Sequence, residues 1–175
     1  RSWCDWSSDV CSSDLHNLPS DVVYCGTKRL TDSVEGSPID AGKLVLSATR
    51  TYAPMVKAIF DACKPAVKGM IHCSGGGQTK VLHFTQNVHI IKDRLLPIPP
   101  LFQLIKAESG TDWKEMFQVF NMGHRLEIYT DAEAAKEMIQ IANSFGIDAQ
   151  IIGRVEASSS NKLTISGDFG TLLYP

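Results

Sequence analysis

The stretch Val67-Lys68-Gly69-Met70-Ile71-His72-Cys73-Ser74-Gly75-Gly76-Gly77-Gln78-Thr79 carries the strongest structural signal in the chain. Val67–Cys73 reads as a buried strand, and it runs straight into three consecutive glycines. With no Cβ to restrict φ, glycines bend the backbone tightly and expose its N–H groups. A short helical stretch follows at Thr79–His83. Strand, glycine turn and helix start together form a candidate phosphate cradle, to which Ser74 adds a hydroxyl donor. The turn is not a Walker A loop, because the Gly-Lys-Ser/Thr ending is absent. Taken alone, these residues are equally compatible with a purely structural turn.

Upstream, Thr51–Cys63 has helical periodicity, with Val56, Ile59, Phe60 and Cys63 on one apolar face and Pro54 in the first turn. Residues 16–43, rich in Pro, Gly, Ser and Asp, read as an extended loop or lid segment. Downstream, Val88–Lys92 is a second strand, and Pro99 or Pro100 starts a helix through Ala107. Asp112–Val119 is a short helix carrying Trp113, Met116 and Phe117, and Arg125–Tyr129 alternates as a strand. Asp131–Phe145 is the best-signed helix: Thr130 and Glu133 form a capping-box pattern, and Gly146 supplies the stop. Its expected buried stripe is Ala135, Met138, Ala142 and Phe145. Ala149–Val155 and Lys162–Ser166 are closing strands. Mixed strands and helices with short links predict an α+β layered domain over 44–175.

The 175 residues suffice for one domain with a real core. A hydrophobic fraction of 43 % and a charged fraction of 21 % are ordinary for a globular protein. A net charge of −2 gives no reason to expect nucleic acid or an anionic membrane as partner. No apolar run approaches the roughly 20 residues of a membrane helix. Five cysteines without paired spacing fit a reducing, cytoplasmic setting better than a disulfide framework. Arg1–Leu15 stands apart. From Asp5 onward it back-translates to a common sequencing-adapter string, so we read it as an assembly artefact, the alternative being a Ser/Asp-rich tail, and expect it to be disordered. Without it the formal charge is zero and Cys25, Cys63 and Cys73 remain.

Two further spots bear chemistry. Asn121-Met122-Gly123 sits between a helix and a strand, where backbone groups face a ligand or simply turn. Arg50 precedes a helix, in place to grip a phosphate through two nitrogens or to stand idle on the surface. His72, Cys73, His83 and His89 lack the spacing of a zinc site, so no metal site is expected. Nothing marks a Cys–His nucleophilic pair, and Glu108, Glu115 and Glu137 read as solvated helix-face residues.

In order along the chain come Leu-Ser-Ala-Thr-Arg-Thr-Tyr at 46–52, Ile-His-Cys-Ser-Gly-Gly-Gly at 71–77 and Pro-Pro-Leu-Phe at 99–102. Glu-Met-Phe-Gln-Val-Phe-Asn-Met-Gly follows at 115–123, then Ile-Gly-Arg-Val at 152–155. This succession resembles the C-terminal domain of the phosphoribosylformylglycinamidine cyclo-ligases, over roughly residues 44–156. The chain departs from the family pattern at Ala48, where a proline is usual, and at Gln78-Thr79-Lys80-Val81, where the family reads Phe-x-Glu-Asn.

The resemblance implies an ATP-dependent ring closure of formylglycinamidine ribonucleotide to aminoimidazole ribonucleotide in purine synthesis, with Mg2+ accompanying ATP. It implies an N-terminal domain that completes the ATP site and forms a homodimer, and an inactive C-terminal fragment. The site residues expected on this basis are His72 as a catalytic positioning group, with Arg50, Ser74, Gly75, Gly76, Gly77, Asn121, Met122 and Gly123 facing substrate or phosphate. The competing readings are another enzyme of the same superfamily, such as a selenophosphate synthetase, thiamine-monophosphate kinase or hydrogenase-maturation factor, and a non-catalytic phosphate-ligand-binding module.

Overall fold

The structure, a computed structural model, describes residues 26–47 and 50–175. Arg1–Leu15, the first part of the expected loop segment, and Ala48 and Thr49 lie outside the described residues. Six strands and five α-helices follow among those described. They are α1 (Ala41–Val45), α2 (Ala53–Cys63), β1 (Gly69–His72), β2 (Val88–Lys92), α3 (Pro100–Ser109) and α4 (Trp113–Val119). Then come β3 (Leu126–Tyr129), α5 (Ala132–Ser144), β4 (Gly153–Ala157), β5 (Lys162–Gly167) and β6 (Gly170–Tyr174). A 3-10 helix, Gly77–His83, stands between β1 and β2.

The strands form two sheets. β1 and β3 pair antiparallel as a ribbon, and β4-β2-β5-β6 form a mixed sheet in which only β2 and β5 run parallel. Alternation splits the ribbon's faces. Leu126 and Ile128 pack with Met55, Ile59, Cys63, Met138 and Ala142, the core under α2 and α5. Ile71 and Tyr129 point the other way, into a core of Ile90, Met116, Phe117, Met122, Leu163 and Ile165 against the mixed sheet. The ribbon is thus the middle layer between a helix pair and the larger sheet, an α+β arrangement.

That geometry brings two charges face to face. Lys92 shares the inner face of β2 with Ile90, and Glu127 lies on the ribbon face that carries Tyr129. Both are buried, and the Lys92 ammonium meets Glu127 Oε1 at 2.5 Å. The Glu127 charge and burial together raise the Tyr129 phenol well above its ordinary range, burial contributing most.

Local chemistry moves several boundaries. The helix α1 begins inside the segment expected to be loop, because the Asp40 side chain caps it by accepting from the Lys43 amide at 2.8 Å. α2 buries Met55, Ile59 and Cys63, while Phe60 is partly exposed, so its buried stripe is rotated from the predicted one. α5 takes Asp131 as N-cap, and the Thr130 hydroxyl instead donates to the Ala66 carbonyl at 2.9 Å. The predicted capping box is therefore absent. β4 starts at Gly153, where an added Cβ would lie 1.9 Å from the Ile91 carbonyl oxygen. The β5–β6 hairpin turns at Asp168-Phe169 and adds an edge strand that periodicity alone does not mark.

Buried His124 ties the chain before α3 to the start of β3. The Leu96 amide donates to His124 Nε2 at 3.0 Å, so the ring proton sits on Nδ1, which has no hydrogen-bond partner among the described residues. Burial lowers the His124 pKa to about 4, from an ordinary 6.5. Between these values an unfolded chain takes up a proton that the folded one refuses. Stability is therefore full above pH 6.5 and falls by about 3 kcal/mol as pH drops toward 4. Urea midpoints at neutral and acid pH should show this slope, and His124→Gln should flatten it; an unchanged slope in the variant would rule His124 out as its source.

Candidate functional site

Two constraints build the glycine turn, and they fall on two of its three glycines. Gly76 has φ +85° and Gly77 has φ +48°, both in the left-handed region. A Cβ on Gly77 would lie 2.5 Å from the Phe120 carbonyl oxygen and 2.7 Å from that of Phe117, so this glycine is required for the turn to dock against the end of α4. Gly75 differs: its φ is ordinary, and an added Cβ would meet nothing within 4 Å. Of the three, only Gly75 is not explained by the fold.

Lys80 guards the turn. Its ammonium donates to Ser74 Oγ at 2.7 Å and to the His72 carbonyl at 3.1 Å. The Ser74 hydroxyl, expected to face a ligand, already has this partner. Lys80 places a cation beside the turn where the sequence reading had placed only a hydroxyl. The His72 side chain ends β1, exposed, with no hydrogen-bond partner for its ring among the described residues. Cys73, by contrast, is buried; burial, and then the Glu127 charge, push its thiol up to about 12, leaving no thiolate at neutral pH.

Asn121-Met122-Gly123 is held tightly. Asn121 Oδ1 accepts from the Gly123 amide at 2.9 Å, and the Asn121 carbonyl accepts from Gln78 Nε2 at 2.6 Å. Met122 has φ +50° and its side chain is fully buried in the core, so that side chain faces no ligand. Gly123, at φ +98°, has Pro99 Cδ 2.9 Å from where a Cβ would stand, and it opens on a cleft.

That cleft, of about 540 Å3, is walled by Arg50, Arg125, Gly123, Tyr52, Phe102 and Phe145 among others. Arg50 and Gly123 meet there, whereas the glycine turn lies outside its wall. Phe145, predicted as core, is a cleft wall and 46 % exposed. Arg125, missed in the sequence, joins it at the start of the β3 segment. Its carbonyl accepts from the Cys73 amide at 2.8 Å, so turn and cleft are neighbours through backbone. Among the described residues Arg94 and Arg154 pair with carboxylates, while Arg50 and Arg125 do not. The cleft also receives the N-terminal ends of α2 and α3, whose N-caps Tyr52 and Pro99 make no side-chain capping bond. Asp148 lines the cleft as well, so its side chains carry two positive charges against one negative, and with the two helix starts the balance favours an anion.

A sequence profile of the AIR synthase related protein, C-terminal domain, matches residues 31–166. The chain belongs to this family. The match spans the glycine turn, the cleft, the ribbon and the mixed sheet up to β5, and ends before the edge strand β6.

The phosphoribosylformylglycinamidine cyclo-ligase of Methanococcus vannielii is 36 % identical over 163 residues, covering 90 % of this chain and 45 % of that protein. The one from Syntrophus aciditrophicus is 28 % identical over 171 residues, covering 91 % of this chain and 47 % of that protein. The chain thus spans just under half the length of these relatives. Among solved structures, Escherichia coli HypE aligns with a TM-score of 0.53 at 21 % identity, over 79 % of this chain and 40 % of that one. That likeness bears on the fold alone.

The glycines separate structural from ligand roles. Gly77→Ala should cost at least about 2 kcal/mol through clash and positive φ, whereas Gly75→Ala should stay within about 0.5 kcal/mol of the parent. Chemical denaturation of both variants checks this; equal stabilities would show that the Gly77 contact does not hold the turn.

Proposed function

We propose that this chain is the C-terminal part of an ATP-dependent cyclo-ligase that converts formylglycinamidine ribonucleotide to aminoimidazole ribonucleotide, with its folded unit, expected over 44–175, extended to take in all of α1 and its Asp40 cap. The observation that carries the reading is the cleft in which Arg50 and Arg125, neither in an ion pair among the described residues, share a wall with Gly123. Similarity to the named cyclo-ligases over most of the chain supports the reaction class.

In this reaction ATP phosphorylates the formamide oxygen, an internal amidine nitrogen attacks the activated carbon, and phosphate leaves as the ring closes. The substrate's own phosphate is an anion remote from the reacting atoms. Arg50 and Arg125 hold it by charge-assisted hydrogen bonds, and the apolar faces of Tyr52, Phe102 and Phe145 exclude water around the ribose. The glycine turn lies one backbone hydrogen bond away, through Cys73 and Arg125. There Lys80 and the open face of Gly75 offer a second anion position, and His72 stands exposed beside it as a positioning group. Among the described residues no three His, Cys, Asp or Glu side chains gather to hold a cation.

The test is steady-state kinetics of aminoimidazole ribonucleotide formation by the longer protein that includes this domain. Arg50→Ala and Arg125→Ala should each raise KM for the ribonucleotide about tenfold or more, the value of one hydrogen bond to a charged group, with unchanged circular dichroism. Absence of ring-closing turnover in the longer protein, or wild-type KM in both variants, would overturn the reading.

A further inference from the structure

We propose that Lys92, Gln78 and Glu127 act as a positioning cluster that holds the glycine turn and the Asn121–Gly123 junction in one register. The inference rests on reading Gly123 and its cleft as the ribonucleotide site.

All three side chains are buried, with Lys92 and Gln78 each 1 % exposed. An ammonium has three N–H donors, and Lys92 uses each: to the Gln78 carbonyl at 3.0 Å, to Gln78 Oε1 at 2.8 Å and to Glu127 Oε1 at 2.5 Å. Gln78 is the residue directly after the glycine turn. Its remaining side-chain group donates to the Asn121 carbonyl at 2.6 Å, and Asn121 Oδ1 in turn receives the Gly123 amide. The second Glu127 oxygen accepts from the Tyr129 hydroxyl at 2.7 Å. An unbroken chain of hydrogen bonds therefore runs from the turn to the cleft wall.

Stability alone does not call for such a cluster. A buried ion pair is often replaced by apolar residues of similar volume without loss. Apolar residues have no directional bonds with which to fix a carbonyl from one loop against an amide from another. The lysine comes from the mixed sheet, the glutamate from the ribbon, and the glutamine from the turn, so the cluster locks two layers and the turn to one geometry. Lys92 and Glu127 are positioning residues; neither lines the cleft.

The experiment uses this chain with Lys92→Met/Glu127→Gln, which removes both charges and keeps an acceptor for Tyr129. Melting temperature should stay within a few degrees of the parent. Amide hydrogen exchange at Gly77 and Thr79 in one segment and at Gly123 and His124 in the other, all hydrogen-bonded amides, should rise together by about tenfold. Affinity for formylglycinamidine ribonucleotide should fall about tenfold. Gln78→Met, which leaves the ion pair in place, should loosen the same two segments and decides the matter if the double variant does not fold. Parent-like exchange in both segments of a folded variant would overturn the proposal. A parent chain that binds no ribonucleotide would sink the functional reading instead, and the exchange result would still decide this one.

Discussion

A lysine ammonium enclosed by the protein must find partners for all its protons, and in this chain that requirement determines where three segments lie. Lys92 reaches inward from β2 because strand alternation places it on the same face as Ile90. Glu127 reaches inward from the ribbon for the same reason, and they meet where the two layers face each other. Gln78 completes the set and draws the glycine turn down onto the end of α4. Breaking one member leaves a buried charge without its partner, which is far costlier than losing an exposed ion pair such as Lys57–Asp61.

The cleft follows from this arrangement. Once Gly77 is seated against the Phe117 and Phe120 carbonyls, the chain must turn through Met122 and Gly123 with positive φ to enter β3. The turn buries Met122 and opens Gly123 to the outside. Arg125 then emerges beside it, while α2 and α3 bring their uncapped starts and Arg50 to the same place. Cores on either side of the ribbon hold these walls apart.

Much of this was legible in residues 44–175. Strongly periodic segments such as Asp112–Val119 and the helix ending near Gly146 declared themselves, and the glycine turn was visible as strand followed by helical turn. Local signals misled where tertiary contacts overrode them: Thr130 looked like a cap but bonds Ala66, and Phe145 looked like core but lines the cleft. Arg50 and Gly123 were found as separate candidates. That they share a cleft with Arg125 depends on contacts between residues distant in sequence, which no local pattern encodes. Lys92 and Glu127 did leave a trace, since each is a charge at an inward strand position. Their pairing, 35 residues apart, needed the fold.

The central claim is that the arginine-lined cleft receives the ribonucleotide. Titrating 15N-labelled chain with formylglycinamidine ribonucleotide and following amide shifts by NMR tests it most directly. The account predicts saturable shifts centred on Ala53, Gly123, Arg125 and Gly146, around the cleft and the start of α2. No saturable shift, or shifts confined to the outer face of the mixed sheet around His89 and Thr164, would contradict it.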